Sequence, residues 1–272
     1  MGDPIHVEDI GDPRLSDYSA IDPRIPRRDV ERAAVRGGYA ICEGPLLVRR
    51  AVTGRLRVRS VLVTPSRFRK LADVLADIDA PVFVAEKDVL EEVVGYAFHR
   101  GAVASLARPA QPPLAEILTG AQRLAVCEGI TDHENLGSIF RNAAAFGIDA
   151  LLLDPTTCDP LYRRSIRVSM GHALHVPFAR LEPWPDALDE LRAHGFRCAA
   201  LMLGPGSVPL DELDGTPPIA WMLGSEGPGL SDAALARADV HVRIPMAPSV
   251  DSLNVAATSA LAFRAVAGEG LV

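Results

Sequence analysis

Hydrophobic and polar positions follow two different periods along this chain. Short continuous apolar runs are typical of buried strands, whereas apolar residues at every third or fourth position are typical of helices that bury one face. The apolar runs that predict strands lie at 39–42, 60–63, 82–85, 102–106, 124–128, 150–153, 176–178, 197–203, 219–223 and 240–244. The stretches that predict helices lie at 44–51, 66–78, 87–94, 135–146, 162–169, 186–193 and 254–267.

Strands that alternate with helices predict an α/β protein with a mainly parallel, doubly wound sheet. A chain of 272 residues has room for two modest domains. A proline-containing linker at 109–120 separates a small α/β domain at 30–108 from a larger one at 121–272. Residues 1–29 are rich in Asp, Pro and Arg, which predicts an extended arm without a core of its own.

Two turns rich in glycine, proline and serine, at 224–229 and 248–254, each follow an apolar run near the end of the chain. A strand, a glycine turn and then a helical pattern are typical of a ligand-binding loop. Two such loops predict a pocket lined by backbone, suited to a neutral or zwitterionic ligand. Their few polar side chains are Glu226, Ser252 and Asn254. The glycine patterns of dinucleotide and nucleoside triphosphate sites are missing from the sequence.

Arg141 stands in an otherwise apolar, small-residue stretch at 139–146 and is therefore expected to be buried. A buried charge needs a partner, because leaving it unpaired is very costly. Either Arg141 forms an ion pair, for which Glu226 is a candidate, or its guanidinium faces a reaction centre.

Net charge is −7, which by itself disfavours nucleic acid as a partner. Charge is unevenly distributed, however, because residues 45–72 carry eight Lys and Arg residues and no acidic one. Such a block is either a local phosphate-binding footprint or a solvated face. The candidate RNA contacts within it are Arg49, Arg50, Arg55, Arg57 and Arg59.

The remaining composition favours a cytoplasmic protein. The four cysteines are far apart, which argues against a zinc site or a disulfide framework. Neither His172 with His175 nor His133 with Glu134 completes a known metal-ligand set, so we expect no metal. No apolar run approaches the roughly 18 residues of a membrane span, and the acidic start is unlike a signal peptide.

Three blocks of the sequence resemble the SpoU (TrmH-like) family of RNA ribose 2'-O-methyltransferases, in the SPOUT class. They are the family patterns N-x-G-x-x-x-R, L-G-x-E-x-x-G-L and I-P-M followed by S-L-N-V. The matching residues are Asn135, Gly137 and Arg141; Leu223, Gly224, Glu226, Gly229 and Leu230; and Ile244, Pro245, Met246, Ser252, Leu253, Asn254 and Val255. The resemblance covers about residues 121–268 and is looser over 30–108. It implies a C-terminal parallel sheet with a trefoil knot, preceded by an L30e-like RNA-binding domain.

The resemblance also implies S-adenosylmethionine as the cofactor. Its contacts would be Leu223, Gly224, Ile244, Met246 and Leu253. Arg141 would fix the target phosphate and stabilise the developing alkoxide, since arginine stays protonated and its fork matches phosphate. Positioning would come from Asn135, Glu226, Ser252 and Asn254, and a further RNA contact from Arg167.

The implied activity is methyl transfer to a ribose 2'-hydroxyl of structured RNA. Ribosomal RNA is favoured over transfer RNA because of the L30e-like domain. The alternatives are a transfer-RNA 2'-O-methyltransferase, a base methyltransferase of the wider class, and a non-catalytic RNA-binding protein with the same fold. The final helix is apolar nearly all round and must be covered on all sides, which together with the resemblance predicts a homodimer.

Overall fold

A computed structural model describes residues 4–19 and 38–267, which form two compact units. The first unit takes its described residues from 1–110 and from 161–175. The second unit consists of 111–160 together with the described part of 176–272. The boundary expected near 109–120 therefore coincides with one change of unit, but the structure groups 161–175 with the first unit rather than the second.

Most predicted elements are found within a few residues of their expected positions. The strands are β1 (Ile5–Val7), β2 (Tyr39–Glu43), β3 (Val58–Val63), β4 (Val82–Ala85), β5 (Ala102–Ala107), β6 (Arg123–Glu128), β7 (Ala150–Leu153), β8 (Phe178–Arg180), β9 (Arg197–Leu201), β10 (Val208–Pro209), β11 (Ile219–Gly224) and β12 (Val240–Arg243). The α-helices are α1 (Pro45–Val52), α2 (Pro65–Leu75), α3 (Lys87–Val94), α4 (Leu114–Leu118), α5 (His133–Phe146), α6 (Arg163–Val168), α7 (Leu188–Ala193), α8 (Asp232–Leu235) and α9 (Val255–Ala265). The sequence pattern did not predict β1, β10, α4 or α8.

The sheet of the first unit has the order β1-β4-β3-β5-β2 and mixes both strand directions. Strands β1, β4 and β3 are parallel, whereas β5 runs antiparallel to both of its neighbours. One face of this sheet buries Leu62, Phe83 and Val103 in a common apolar cluster. Burial of such side chains contributes about 1.5–3 kcal/mol each.

The expectation of an extended arm over 1–29 is wrong for its described part. Ile5–Val7 adds a strand to the edge of the first sheet by pairing with β4. Leu15 and Tyr18 are fully buried in the cluster beneath that sheet. Residues 20–29 of the expected arm lie outside the described residues.

Polar contacts attach this N-terminal segment to the sheet. The hydroxyl oxygens of Tyr18 and Ser60 lie 2.6 Å apart in a buried hydrogen bond. The Asp17 carboxylate accepts hydrogen bonds from Arg59 Nε at 2.8 Å and from Ser105 Oγ at 2.6 Å. The segment is therefore part of the first unit's core rather than an appendage to it.

The sheet of the second unit is parallel throughout, as the alternating pattern predicted. Its order is β10-β12-β9-β11-β6-β7-β8, and each neighbouring pair is parallel. Consequently the carboxyl ends of β12, β9, β11 and β6 meet along one edge. In open parallel sheets, ligands bind in the crevice outside this edge.

The last helix, α9, packs against α5 beside this sheet. Asn142 of α5 donates from Nδ2 to the carbonyl of Ala256 at 2.8 Å and to Ser259 Oγ at 2.9 Å. Phe263 is fully buried within the chain, whereas Leu261 is 46% exposed. Only part of the apolar surface of α9 is therefore left uncovered by its own chain.

Within the described ranges, no helix is long and apolar enough to cross a membrane.

Candidate functional site

A cavity of about 620 Å³ lies at the carboxyl ends of β9, β11 and β12. Its walls are formed by the residues that follow these three neighbouring strands, including both glycine- and serine-rich loops. All five residues expected to contact a cofactor line it: Leu223, Gly224, Ile244, Met246 and Leu253. The prediction that the two loops form one pocket is confirmed.

The first of these loops folds back on itself directly after β11. Gly229 N–H donates to the Ser225 carbonyl at 3.1 Å, and these two residues form an isolated antiparallel bridge. A Cβ on Gly224 would lie 2.3 Å from the backbone of both Gly229 and Leu230. Glycine is thus required at 224 because the loop's own backbone approaches it, which differs from the expected approach of a ligand.

The electrostatic character of the cavity is acidic. Three carboxylate side chains line it, from Glu226, Asp232 and Asp251, and no lysine or arginine does so among the described residues. Apolar walls lower the effective dielectric constant and strengthen the field of these charges. The site therefore favours a ligand that carries positive charge beside an apolar part.

A cluster of two amides and one carboxylate stands at the edge of this cavity. Glu226 Oε1 accepts a hydrogen bond from Asn135 Nδ2 at 2.7 Å and another from Asn254 Nδ2 at 2.9 Å. Asn254 Nδ2 also donates to Asn135 Oδ1 at 3.0 Å. In the sequence, Asn135 is separated from Glu226 by 91 positions and from Asn254 by 119 positions. The fold brings the three side chains together, as expected if they belong to one site.

Asn254 is fixed by a second set of bonds on its other side-chain atom. It caps the N-terminus of α9, and its Oδ1 accepts from the backbone N–H of Ala256 at 2.9 Å and of Ala257 at 3.3 Å. Because Oδ1 is engaged with the helix, Nδ2 must point toward the carboxylate of Glu226. The helix cap thereby orients the amide–carboxylate cluster.

The other two expected catalytic residues lie differently. Ser252 lines the cavity and is exposed. Arg141 is exposed on α5 rather than buried, and it forms no ion pair with Glu226 or with any other described residue. The small-residue stretch around Arg141 packs on one side only, so the inference of burial from its neighbours was wrong. An exposed guanidinium keeps all of its hydrogen-bond donors available.

Sequence reasoning missed Glu128, a largely buried carboxylate at the end of β6. It accepts from Trp184 Nε1 at 2.7 Å and from the N–H and hydroxyl of Ser231 at 2.8 and 2.7 Å. Ser231 follows Leu230 of the glycine loop and caps α8. Glu128 therefore anchors the far end of that loop, and a charged residue ending an apolar run was the available signal.

The structure divides the predicted RNA-contacting arginines into engaged and free ones. Arg49 is paired with Asp73, and Arg50 donates to the carbonyl of Met170. Arg59 makes a two-pronged bond to Asp17, at 2.8 and 3.2 Å.

Arg55 and Arg57 are exposed and have no hydrogen-bond or ionic partner in the described part of the chain. Arg167 is exposed on α6, in the first unit.

Comparison with known proteins adds an independent finding. The SpoU rRNA Methylase family model matches residues 122–264, which is more than half of the chain. An uncharacterised tRNA/rRNA methyltransferase of Mycobacterium tuberculosis is 42% identical over 96% of this chain and 92% of its own length. A 23S rRNA (guanosine-2'-O-)-methyltransferase of Acinetobacter baylyi is 29% identical over 72% of this chain and 82% of its own.

Among solved structures, the AdoMet-bound rRNA methyltransferase from Sinorhizobium meliloti superposes with a TM-score of 0.80. The two are 25% identical, and the alignment covers 96% of each chain. The likeness therefore extends over both units, including the part where the sequence patterns are looser.

Proposed function

This chain belongs to the SpoU rRNA methylase family, and we propose that it transfers the methyl group of S-adenosylmethionine to a ribose 2'-hydroxyl of RNA. The single observation that carries the proposal is the Asn135–Glu226–Asn254 cluster at the edge of an acidic cavity. The acidic cavity would bind the positively charged cofactor, and the carboxylate of the cluster would accept a hydrogen bond from the ribose hydroxyl.

The residues of the cavity fit S-adenosylmethionine on charge and shape. The cofactor carries a sulfonium, an ammonium and one carboxylate, so its net charge is positive, and the cavity offers acidic groups without lysine or arginine among its described lining residues. Leu223, Ile244, Met246 and Leu253 supply apolar walls, and the backbone at Gly224 supplies polar contacts. When bound, the cofactor supplies a methyl group that its sulfonium already makes electrophilic.

The role of the cluster is to hold the attacking hydroxyl. Oε1 of Glu226 is occupied by two amide donors, which leaves Oε2 to accept from a ribose hydroxyl. Asn135 and Asn254 keep the carboxylate in place, and Ser252 lines the same cavity with a further hydroxyl. Fixing the hydroxyl in line with the methyl group converts a bimolecular encounter into an oriented one.

Arg141 is proposed to bind the phosphate next to the target ribose and to stabilise the developing alkoxide. Its exposure supports this role, since an exposed guanidinium can reach an RNA backbone. Arginine binds phosphate through two parallel N–H donors, which lysine cannot reproduce. Arg141→Ala and Arg141→Lys should both lose methyl transfer while binding cofactor normally, as checked by calorimetry and a tritium-transfer assay.

Ribosomal RNA is the proposed substrate. One of the relatives described above is a 23S rRNA 2'-O-methyltransferase, and another carries a name that covers both tRNA and rRNA. A transfer-RNA enzyme is the second candidate. We further propose that the first unit is an L30e-like RNA-binding domain and that the second unit contains a trefoil knot.

A cytoplasmic homodimer is the proposed working form. Leu261, Leu253 and Val250 lie in or just before α9 and are 46%, 38% and 44% exposed. A two-fold contact through this apolar surface would cover it. Leu261→Glu should lower the mass measured by light scattering, whereas Phe263 is unsuitable for this test because it lies in the subunit core.

The deciding experiment compares ribose methylation in a strain without this gene, complemented by wild type or by Glu226→Gln. Mass spectrometry of nuclease-resistant dinucleotides would locate a 2'-O-methyl group that only wild type restores. Glu226→Gln keeps the shape of the side chain but replaces the carboxylate, which is proposed to accept a hydrogen bond from the ribose hydroxyl, with a neutral amide. Restoration of the mark by Glu226→Gln would refute the assigned role, and a methylated base in place of the ribose would refute the reaction.

A further inference from the structure

A second cavity, of about 500 Å³, lies in the first unit beyond the carboxyl ends of the parallel strands β3 and β4. Its walls come from residues 64–67 and 69 at the start of α2, from 86–87 at the start of α3, and from 98, 99 and 101 before β5. None of these residues belongs to the site described above. Arg67 and Arg69 belong to the basic stretch 45–72, whereas the arginines of that stretch at 49–59 do not line the cavity.

Basic side chains dominate the lining of this cavity. Arg67, Arg69, Lys87 and His99 line it, and Glu86 is the acidic residue among its described lining residues. A concave surface on which one sign of charge predominates concentrates the field and attracts ligands of the opposite sign.

The donors of these cations are largely unused. Arg69 is exposed and has no hydrogen bond or ion pair with any described residue. Arg67 donates from Nε to the carbonyl of Arg100 at 3.1 Å, and its two terminal nitrogens have no partner among the residues that the structure describes, so they are available to a ligand. Lys87 has one long contact, 3.6 Å, to Glu91.

Two hydroxyl side chains and a glycine with positive φ also line this cavity. The hydroxyl oxygens of Thr64 and Ser66 lie 3.2 Å apart, and neither side chain caps α2. Gly101 has φ +65°, and a Cβ there would lie 3.0 Å from Thr64 Oγ1 and 3.1 Å from Arg67 Cγ. The loop before β5 therefore packs closely against the start of α2 and holds Arg67 in place.

We propose that this cavity binds a phosphodiester group of the RNA substrate, an inference that rests on the proposed function. Two arginines, one lysine and two hydroxyls form a donor set that suits phosphate oxygens. By contrast, Arg49, Arg50 and Arg59 of the expected basic stretch are engaged within the chain. Within that stretch the structure therefore favours Arg67 and Arg69, at the start of α2, over the engaged arginines as phosphate-binding residues.

The test measures RNA affinity against salt for wild type, Arg69→Ala and Lys87→Ala. The matched control is Lys70→Ala, because Lys70 is also exposed and occupies the neighbouring position on α2 but does not line the cavity. The probe is fluorescently labelled 23S rRNA transcribed in vitro, titrated into the full chain at several potassium chloride concentrations.

Each lost phosphate contact should reduce the slope of log affinity against log salt by roughly 0.7–0.9. Between 50 and 200 mM salt, each cavity variant should therefore lose about threefold less affinity than wild type. Lys70→Ala should keep the wild-type slope. Equal reductions in all three variants would indicate a diffuse basic face and overturn the cavity, as would unchanged slopes in Arg69→Ala and Lys87→Ala.

Two further measurements distinguish this proposal from the proposed function and from binding of a free phosphate. Calorimetry with S-adenosylmethionine tests the proposed function, because wild type should bind it and all variants should bind it equally. If wild type binds cofactor and RNA but the cavity variants match the control, only the cavity assignment fails. Titration with inorganic phosphate and AMP tests a free phosphate as ligand, and tight binding lost in Arg69→Ala without a change in the RNA slope would overturn RNA as the occupant.

Discussion

Replacement of Asn254 separates its role in folding from its role in the amide–carboxylate cluster. Its Oδ1 caps α9, and its Nδ2 donates to Glu226 and Asn135. Asn254→Ala removes both functions. Asn254→Ser keeps an oxygen that can cap the helix, because serine and asparagine are equivalent caps, but it has no amide donor.

The expected loss of stability follows from the contacts that disappear. Loss of an N-cap costs about 1 kcal/mol. The bonds to Glu226 and Asn135 are exposed, so water replaces much of their contribution and each adds at most about 0.5 kcal/mol. Asn254→Ala should therefore destabilise the second unit by about 1–2 kcal/mol, or roughly 0.5–1 M in urea midpoint. Asn254→Ser should shift the midpoint by less than half of that.

Tryptophan fluorescence gives a convenient assay, since both tryptophans of the chain, Trp184 and Trp221, lie in the second unit. Methyl transfer would be measured on the same preparations. Asn254→Ser should lose about tenfold or more in turnover, because Glu226 loses one of the two donors that hold its carboxylate in position, and a small misplacement of a positioning group costs far more in rate than its exposed bond contributes to stability. Equal destabilisation by Ala and Ser would refute the cap, and normal turnover of Asn254→Ser would refute the cluster.

Three further expectations concern the second unit. Gly224→Ala should abolish cofactor binding and lower stability by about 1–3 kcal/mol, because its Cβ would overlap the backbone of Gly229 and Leu230; a normal calorimetric titration would contradict this. Burial raises the pKa of Asp154, but hydrogen bonds from neighbouring hydroxyls and N–H groups outweigh that effect and hold it below 3.8. Its contribution to stability is therefore present at neutral pH and is lost as pH falls through that lowered pKa, so the difference in urea midpoint between wild type and Asp154→Asn should shrink on acidification below about pH 4. Burial raises the pKa of Cys198 to about 12, so this thiol should resist alkylation near pH 8 until the chain is unfolded, as mass spectrometry of the labelled protein would show.

The sequence patterns were most informative where a structure depends on local periodicity. The predicted strands at 82–85 and 150–153 and the helix at 87–94 have the observed boundaries. Strand β1, by contrast, has only three residues and exists because β4 offers it an edge. Nothing within those three residues distinguishes them from a loop.

In the candidate site, too, features that depend on tertiary contacts could not be predicted from the local sequence. The two loops and their pocket followed from glycine, proline and serine turns after apolar runs, and the cluster residues followed from the family resemblance. Burial of Arg141 was inferred from sequence neighbours, although a helix can leave one side open to solvent. Pairing of Arg59 with Asp17, 42 positions away, is tertiary and cannot be read from a charge run.

The segment 161–175 belongs to the first unit, although it lies in the sequence between two parts of the second unit. A fragment ending at residue 110 would lack α6, whose first residue, Arg163, lies 3.9 Å from the Glu43 carboxylate of β2. A fragment starting at residue 111 would carry that segment without the surface on which it packs. Cutting this protein at its apparent linker would therefore not yield two independent domains. Because the segment 161–175 lies between β7 and β8, the first unit is complete only after this part of the second unit has been synthesised.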